Sequence, residues 1–162
     1  MKRILSFWYL SAVLINIIAI SNNVQAQVTE DWATRYNGPS SGADQSNAIV
    51  VDNFGNVYVA GYSDGSTPFW DYATIKYDSV GVFQWVQRYN GSGSSFDVAY
   101  AIAVDHLGFI YVTGGSIGTG SNYDYLTIKY SSSGDTIWTR RYNGPKNGLD
   151  KAYSIVLDDT GN

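Results

Sequence analysis

WATRYNG (Trp32–Gly38) returns as WVQRYNG (Trp85–Gly91) and again as WTRRYNG (Trp138–Gly144), each copy 53 residues after the last. Sliding the chain by that interval sets Trp32–Gln84 on Trp85–Ile137, and 25 of the 53 positions are identical. The third copy holds the register to the final residue. This is internal symmetry, visible in one chain. A period of this length means one structural unit built more than once.

Alternation and turn residues divide each unit into four short strands. In the second unit they run about Tyr100–Val104, Ile110–Gly114, Tyr125–Tyr130 and Ile137–Tyr142. No stretch after the leader has a helical period. The turns use one grammar. Asp52-Asn53-Phe54-Gly55 and Asp105-His106-Leu107-Gly108 join the first two strands, and Asp158-Asp159-Thr160-Gly161 begins the same turn again. The Asp carboxylate is placed to accept a backbone N–H two residues on, and Gly takes the left-handed conformation. Asp78-Ser79-Val80-Gly81 and Ser131-Ser132-Ser133-Gly134 do the same between the last two strands. Four antiparallel strands every 53 residues predict an all-β fold of β-propeller blades, a fragment of a larger propeller. A lone four-stranded sheet has two faces to cover, so blades must stack. Trp32, Trp85 and Trp138 are expected in the layer between blades.

The first residues belong to a different problem. Lys2 and Arg3 precede an apolar run from Ile4 to about Ile20, and Val24-Gln25-Ala26 follows. This pattern predicts a secretory signal peptide over residues 1–26, cut after Ala26. An uncleaved N-terminal anchor is the rival reading, since the run approaches the length of a membrane span. No later stretch is apolar enough to span a bilayer. The repeat region is 27–162, with units at about 32–84 and 85–137 and a partial one at 138–162. The third unit holds one strand and half a turn. Its register predicts either further sequence of the second-strand type or several chains sharing one ring through open blade edges.

Composition excludes several classes. The chain has no Cys, so neither disulfides nor a lipid on an N-terminal Cys can hold it. It carries 10 basic and 14 acidic residues, and two of the basic ones lie in the leader. An acidic region without a basic run excludes a nucleic-acid partner. The single His, His106, replaces Asn53 in a turn and has no partner for a metal or a triad.

The repeated carboxylates are Asp44, Asp97 and Asp150; Asp52, Asp105 and Asp158; and Asp71 and Asp124. Symmetric copies suit turn and loop capping better than catalysis, which needs two carboxylates in different environments. The turns lack the dense alternating acids of a calcium loop. No catalytic, cofactor or metal residue is therefore assigned. Function is expected where the repeat breaks, at Asp64–Trp70 (DGSTPFW) against Ile117–Tyr123 (IGTGSNY). Trp70 and Tyr123 are expected on that variable loop, facing a ligand. Trp70→Ala is then expected to weaken the ligand and leave the melting temperature nearly unchanged.

Taken together, AIVVDNFGNVYVAGYS (Ala48–Ser63), AIAVDHLGFIYVTGGS (Ala101–Ser116), DYATIKYDSVG (Asp71–Gly81) and DYLTIKYSSSG (Asp124–Gly134) resemble the bacterial SBBP β-propeller repeat family. The resemblance covers nearly all of Trp32–Asn162. It implies an extracellular repeat module of secreted or surface proteins, with no family-wide catalytic residues. A weaker similarity of Asp78–Gly81 and Trp85 to a quinoprotein blade motif implies packing and no quinone.

The expected role is a non-catalytic, exported structural or interaction scaffold, secreted or at the cell surface, with a protein or glycan as ligand. Alternatives from other classes are the propeller portion of a larger secreted hydrolase-like enzyme and a small lectin-like oligomer.

Overall fold

In the computed structural model, which describes residues 30–65, 69–158 and 161, the expected turns Asp52–Gly55, Asp78–Gly81, Asp105–Gly108 and Ser131–Gly134 each close a hairpin. Asp52 Oδ1 accepts from the N–H groups of Phe54 and Asn56, both at 2.9 Å. Asp105 Oδ1 does the same for Leu107 and Phe109, again at 2.9 Å. Gly55 and Gly108 sit at φ 80° and 82°, the left-handed region the turn requires. The strands between these turns are β1 (Asp44–Val51), β2 (Val57–Asp64), β3 (Trp70–Tyr77), β4 (Phe83–Tyr89), β5 (Asp97–Val104), β6 (Ile110–Ile117), β7 (Tyr123–Tyr130) and β8 (Thr136–Tyr142).

They form two antiparallel four-stranded meanders, β1-β2-β3-β4 and β5-β6-β7-β8, here called blade 1 and blade 2. No helix occurs among the described residues, and none is long and apolar enough to cross a membrane. The expected leader, residues 1–26, lies outside the described residues.

The strands of blade 2 run further than alternation predicts. β5 begins at Asp97, three residues before the expected Tyr100. A register shift between Ala99 and Ala101 breaks the period-2 pattern there and hides the strand start. β6 continues past the expected end at Gly114, through Gly115-Ser116 to Ile117. The sheets are also phased differently from the sequence units. Each blade begins at its Asp and ends with its Trp strand, so Trp85 and Trp138 close blades. Residues 150–158 are not a paired strand. They lie along blade 2, with Asp150 N donating to Tyr123 O at 2.7 Å and Ala152 N to Gly114 O at 3.3 Å.

The core lies between the blades. Tyr58, Ala60 and Tyr72 of blade 1 meet Ala99, Ile110, Val112, Leu126, Ile128 and Tyr130 of blade 2, and all are essentially inaccessible to solvent. Each fully buried aliphatic side chain in such a layer contributes about 1.5–3 kcal/mol. Polar contacts fix the stacking. Tyr72 Oη donates to Leu126 O at 3.3 Å, and Asn47 Nδ2 donates to Ala99 O at 2.8 Å. Burial pushes the Tyr72 hydroxyl well above its ordinary pKa.

The Trp expectation holds for Trp85, the copy that lies between the two described blades. Trp85 lies 6.3 Å from the Tyr130 ring across the interface, and its Nε1 donates to Ser132 O at 3.2 Å. It stacks over Gly134, where a β-carbon would come within 2.9 Å of the indole. Trp32 makes the equivalent contacts on the outer face of blade 1, 6.2 Å from Tyr77 and over Gly81, with no second blade beside it among the described residues.

Candidate functional site

The turns that join β2 to β3 and β6 to β7, and those that lead into β1 and β5, gather at one rim. The repeat breaks there, so this rim is the candidate site. Trp70 is the first residue of β3 and Tyr123 the first of β7, which corrects their expected placement on a loop. Residues 66–68 of that segment lie outside the described residues. Trp70 is half-buried, stacked on Tyr62 with centroids 4.3 Å apart and meeting Phe96 edge-on at 5.0 Å. Phe69 adds a second edge contact to Phe96 at 5.1 Å. Phe96 leads into blade 2, so these rings bridge the blades. Tyr123 is half-buried beneath the Lys151 ammonium, 3.9 Å from the ring centroid. Burial raises its pKa, with Tyr100 and Asp97 adding to the rise. Trp70 and Tyr123 are equivalents in different company and do not meet in one pocket.

Below the rings lies a polar layer that the sequence reading did not assemble. Arg88 Nη1 donates to Ser63 Oγ at 2.6 Å, and Nη2 donates to Ser63 O at 2.8 Å and Asp71 Oδ2 at 3.1 Å. In blade 2, Arg141 binds Ser116 Oγ at 2.6 Å, Ser116 O at 2.8 Å and Asp124 Oδ2 at 2.9 Å. Asp71 and Asp124 are therefore ion-paired strand residues, not the loop caps expected of them. The signal was present, since Ser, Asp and Arg all recur at the 53-residue interval. Identity alone does not say which recurring residues touch.

The other carboxylates act as expected. Asp44, Asp97 and Asp150 accept the N–H of Gly38, Gly91 and Gly144 at 2.9, 2.6 and 2.7 Å. The first two bonds tie an Asn-Gly to the start of the following blade, and the third closes the same turn after blade 2. Asp97 is fully buried. Burial raises its pKa against the opposing hydrogen bonds from Gly91 and Ser116, and nearby Asp71 raises it further. Asp52 behaves oppositely. Burial acts upward there, but bonds from Asn56, Phe54 and Tyr58 outweigh it and lower the pKa. One oxygen each of Asp71, Asp97 and Asp124 is buried without a hydrogen-bond partner. His106 is exposed in its turn. Among the described residues, no group of three or more His, Cys, Asp or Glu is arranged to hold a metal ion.

Two meanders with one hydrogen-bond plan, stacked face to face through Tyr and Trp, define a β-propeller repeat protein. The family described as SBBP, β-propeller repeat, matches residues 31–69 and 84–120. The chain belongs to that family and carries two of its repeats. A search of curated proteins finds no match.

Proposed function

We propose that the chain is an exported, non-catalytic β-propeller module that serves as a structural or binding scaffold, secreted or at the cell surface. The observation that carries the reading is how the recurring carboxylates are used. Asp44 and Asp97 hold the turns into the two blades, Asp150 holds the equivalent turn after blade 2, Asp52 and Asp105 hold hairpins, and Asp71 and Asp124 pair with arginines. A carboxylate engaged this way stabilises the scaffold and is poorly placed to transfer protons to a substrate. The rim supports a binding role, because variable connections on a rigid sheet commonly carry recognition. Trp70 and Tyr123 are the aromatics this rim offers to a protein or glycan.

The reading is tested by producing the full chain with a C-terminal tag in a bacterial host. The released product is expected at the mass of residues 27–162. Retention of the full-length chain in the cytoplasm would refute export. The purified product, fluorescently labelled, is then applied to a glycan array and to extracellular matrix proteins. Saturable binding without release of reducing ends or new peptide termini is expected. Turnover of any arrayed substrate would refute the non-catalytic role.

A further inference from the structure

The chain contains four Asn-Gly pairs, beginning at Asn37, Asn90, Asn143 and Asn147. Three of them belong to the repeat and share one restraint. The N–H groups of Gly38, Gly91 and Gly144 donate to the carboxylates of Asp44, Asp97 and Asp150, at 2.9, 2.6 and 2.7 Å. The fourth pair, Asn147-Gly148, stands where the earlier copies have Ser41-Gly42 and Ser94-Ser95. No carboxylate holds it. Asn147 and Gly148 are both exposed, and the Gly148 N–H has no acceptor among the described residues. Apart from its chain neighbours, no atom lies within 4 Å of where a β-carbon on Gly148 would stand.

An Asn followed by Gly sets an electrophile beside its own nucleophile. The backbone nitrogen of the next residue can attack the side-chain Cγ and close a succinimide ring, and Gly has no side chain to hinder the approach. The attacking nitrogen must first lose its proton. A carboxylate at hydrogen-bond distance opposes this twice. It holds the N–H, and its charge disfavours the amide anion. Neither restraint acts on Gly148. Asn143 Nδ2 donates to Asn147 Oδ1 at 2.6 Å, which draws electron density away from Cγ and favours attack there.

We infer that Asn147-Gly148 is a site of spontaneous deamidation, and that Asp44, Asp97 and Asp150 protect the other three pairs from the same reaction. The bond from Gly148 N to Asn147 Cγ forms, the Cγ–Nδ2 bond breaks, and the proton of the attacking nitrogen leaves with Nδ2 as ammonia. Water then opens the succinimide at either carbonyl and leaves an aspartyl or isoaspartyl residue, with no change of oxidation state. The product lacks the Nδ2 donor that ties Asn147 to Gly120 O at 3.0 Å, and it carries a new negative charge. The turn after blade 2 is thereby released from the β6–β7 connection. This goes beyond the scaffold role and does not depend on export.

The full chain is kept folded in mildly alkaline buffer and sampled over time. After digestion in acid, each Asn-Gly pair is followed by tandem mass spectrometry for the mass gain of amide-to-acid conversion. Asn147 is expected to convert faster than Asn37, Asn90 and Asn143 by about tenfold or more, the factor that one hydrogen bond to a charged acceptor supplies. In the urea-unfolded chain the four rates are expected to converge. Asp150→Ala removes the acceptor of the Gly144 N–H. Position 150 lies beyond β8, so both blades still fold, and Asn143 is expected to rise to the rate of Asn147. Equal rates in the folded parent chain, or a slower Asn147, overturn the inference. So does a difference that persists in urea, which would place its cause in the neighbouring residues, or an unchanged Asn143 rate in Asp150→Ala.

Discussion

Trp85 and Trp138 occupy one position in two copies of the repeat, yet their replacement by Ala is expected to have unequal effects. Trp85 faces a neighbouring blade. Its ring lies 6.2 Å from Tyr58 and 6.3 Å from Tyr130, and its Nε1 donates to Ser132 O at 3.2 Å. Two aromatic contacts at about 0.5–1.5 kcal/mol each and one hydrogen bond at about 1 kcal/mol give roughly 3 kcal/mol, the lower end of the usual cost of truncating a packed Trp. Trp138 keeps the contact within its own blade, 6.2 Å from Tyr111, and Arg140 lies 5.6 Å from its ring. Without the cross-blade contacts, Trp138→Ala is expected to cost about 1 kcal/mol.

The assay is urea unfolding of the full chain and both variants, followed by far-UV circular dichroism and extrapolated to water. A gap of about 2 kcal/mol between the variants is expected. Trp85→Ala is also expected to broaden the transition, because a weakened interface lets the blades unfold separately. Equal losses, or a larger loss for Trp138→Ala, would refute the argument that the Trp stabilises by contact between blades.

The buried Asp97 carboxyl has a raised pKa, so the folded chain holds its proton at a pH where the unfolded chain has released it. Its contribution to stability is then greatest below the ordinary carboxylate value of 3.8 and falls as pH rises to its folded pKa. Asp97→Asn is expected to flatten that part of the stability-versus-pH curve in thermal melts; an unaltered slope would show that Asp97 is not its source. Trp70→Ala loses the Tyr62 stack and the Phe96 edge contact and is expected to cost about 1–3 kcal/mol, against the near-neutral melting temperature expected of a loop residue. A melt within a degree of the parent would restore the loop reading. Gly134→Ala meets a left-handed φ of 94° and the Trp85 ring at 2.9 Å, whereas Gly120→Ala has φ 73° and open space around it. Gly120→Ala is expected to cost about 1–2 kcal/mol from conformation alone, and Gly134→Ala measurably more in the same melts. Equal losses would mean that the indole yields freely.

The fold was legible because its causes are local and repeated. An Asp that caps its own turn and a Gly that needs a left-handed φ announce themselves within four residues, and the 53-residue interval confirms them. The candidate site was less legible because its causes are not local. Ser63 and Asp71 face each other across β2 and β3, but Arg88 reaches them from β4, and nothing in the spacing of the three letters requires that contact. Trp70 was read as a loop residue because the loop before it breaks the repeat and hides where β3 starts.

The limit is clearest at Tyr72 and Tyr125. They are the same residue at the same point of the repeat, and Tyr72 is fully buried while Tyr125 is 41% exposed. The difference lies in whether a blade stands against that face. In a stacked-repeat protein, burial belongs to a pair of neighbouring units and not to a residue. A repeated sequence therefore specifies how each blade folds and what kind of surface covers it, and leaves the choice of covering partner to the faces at either end of the stack.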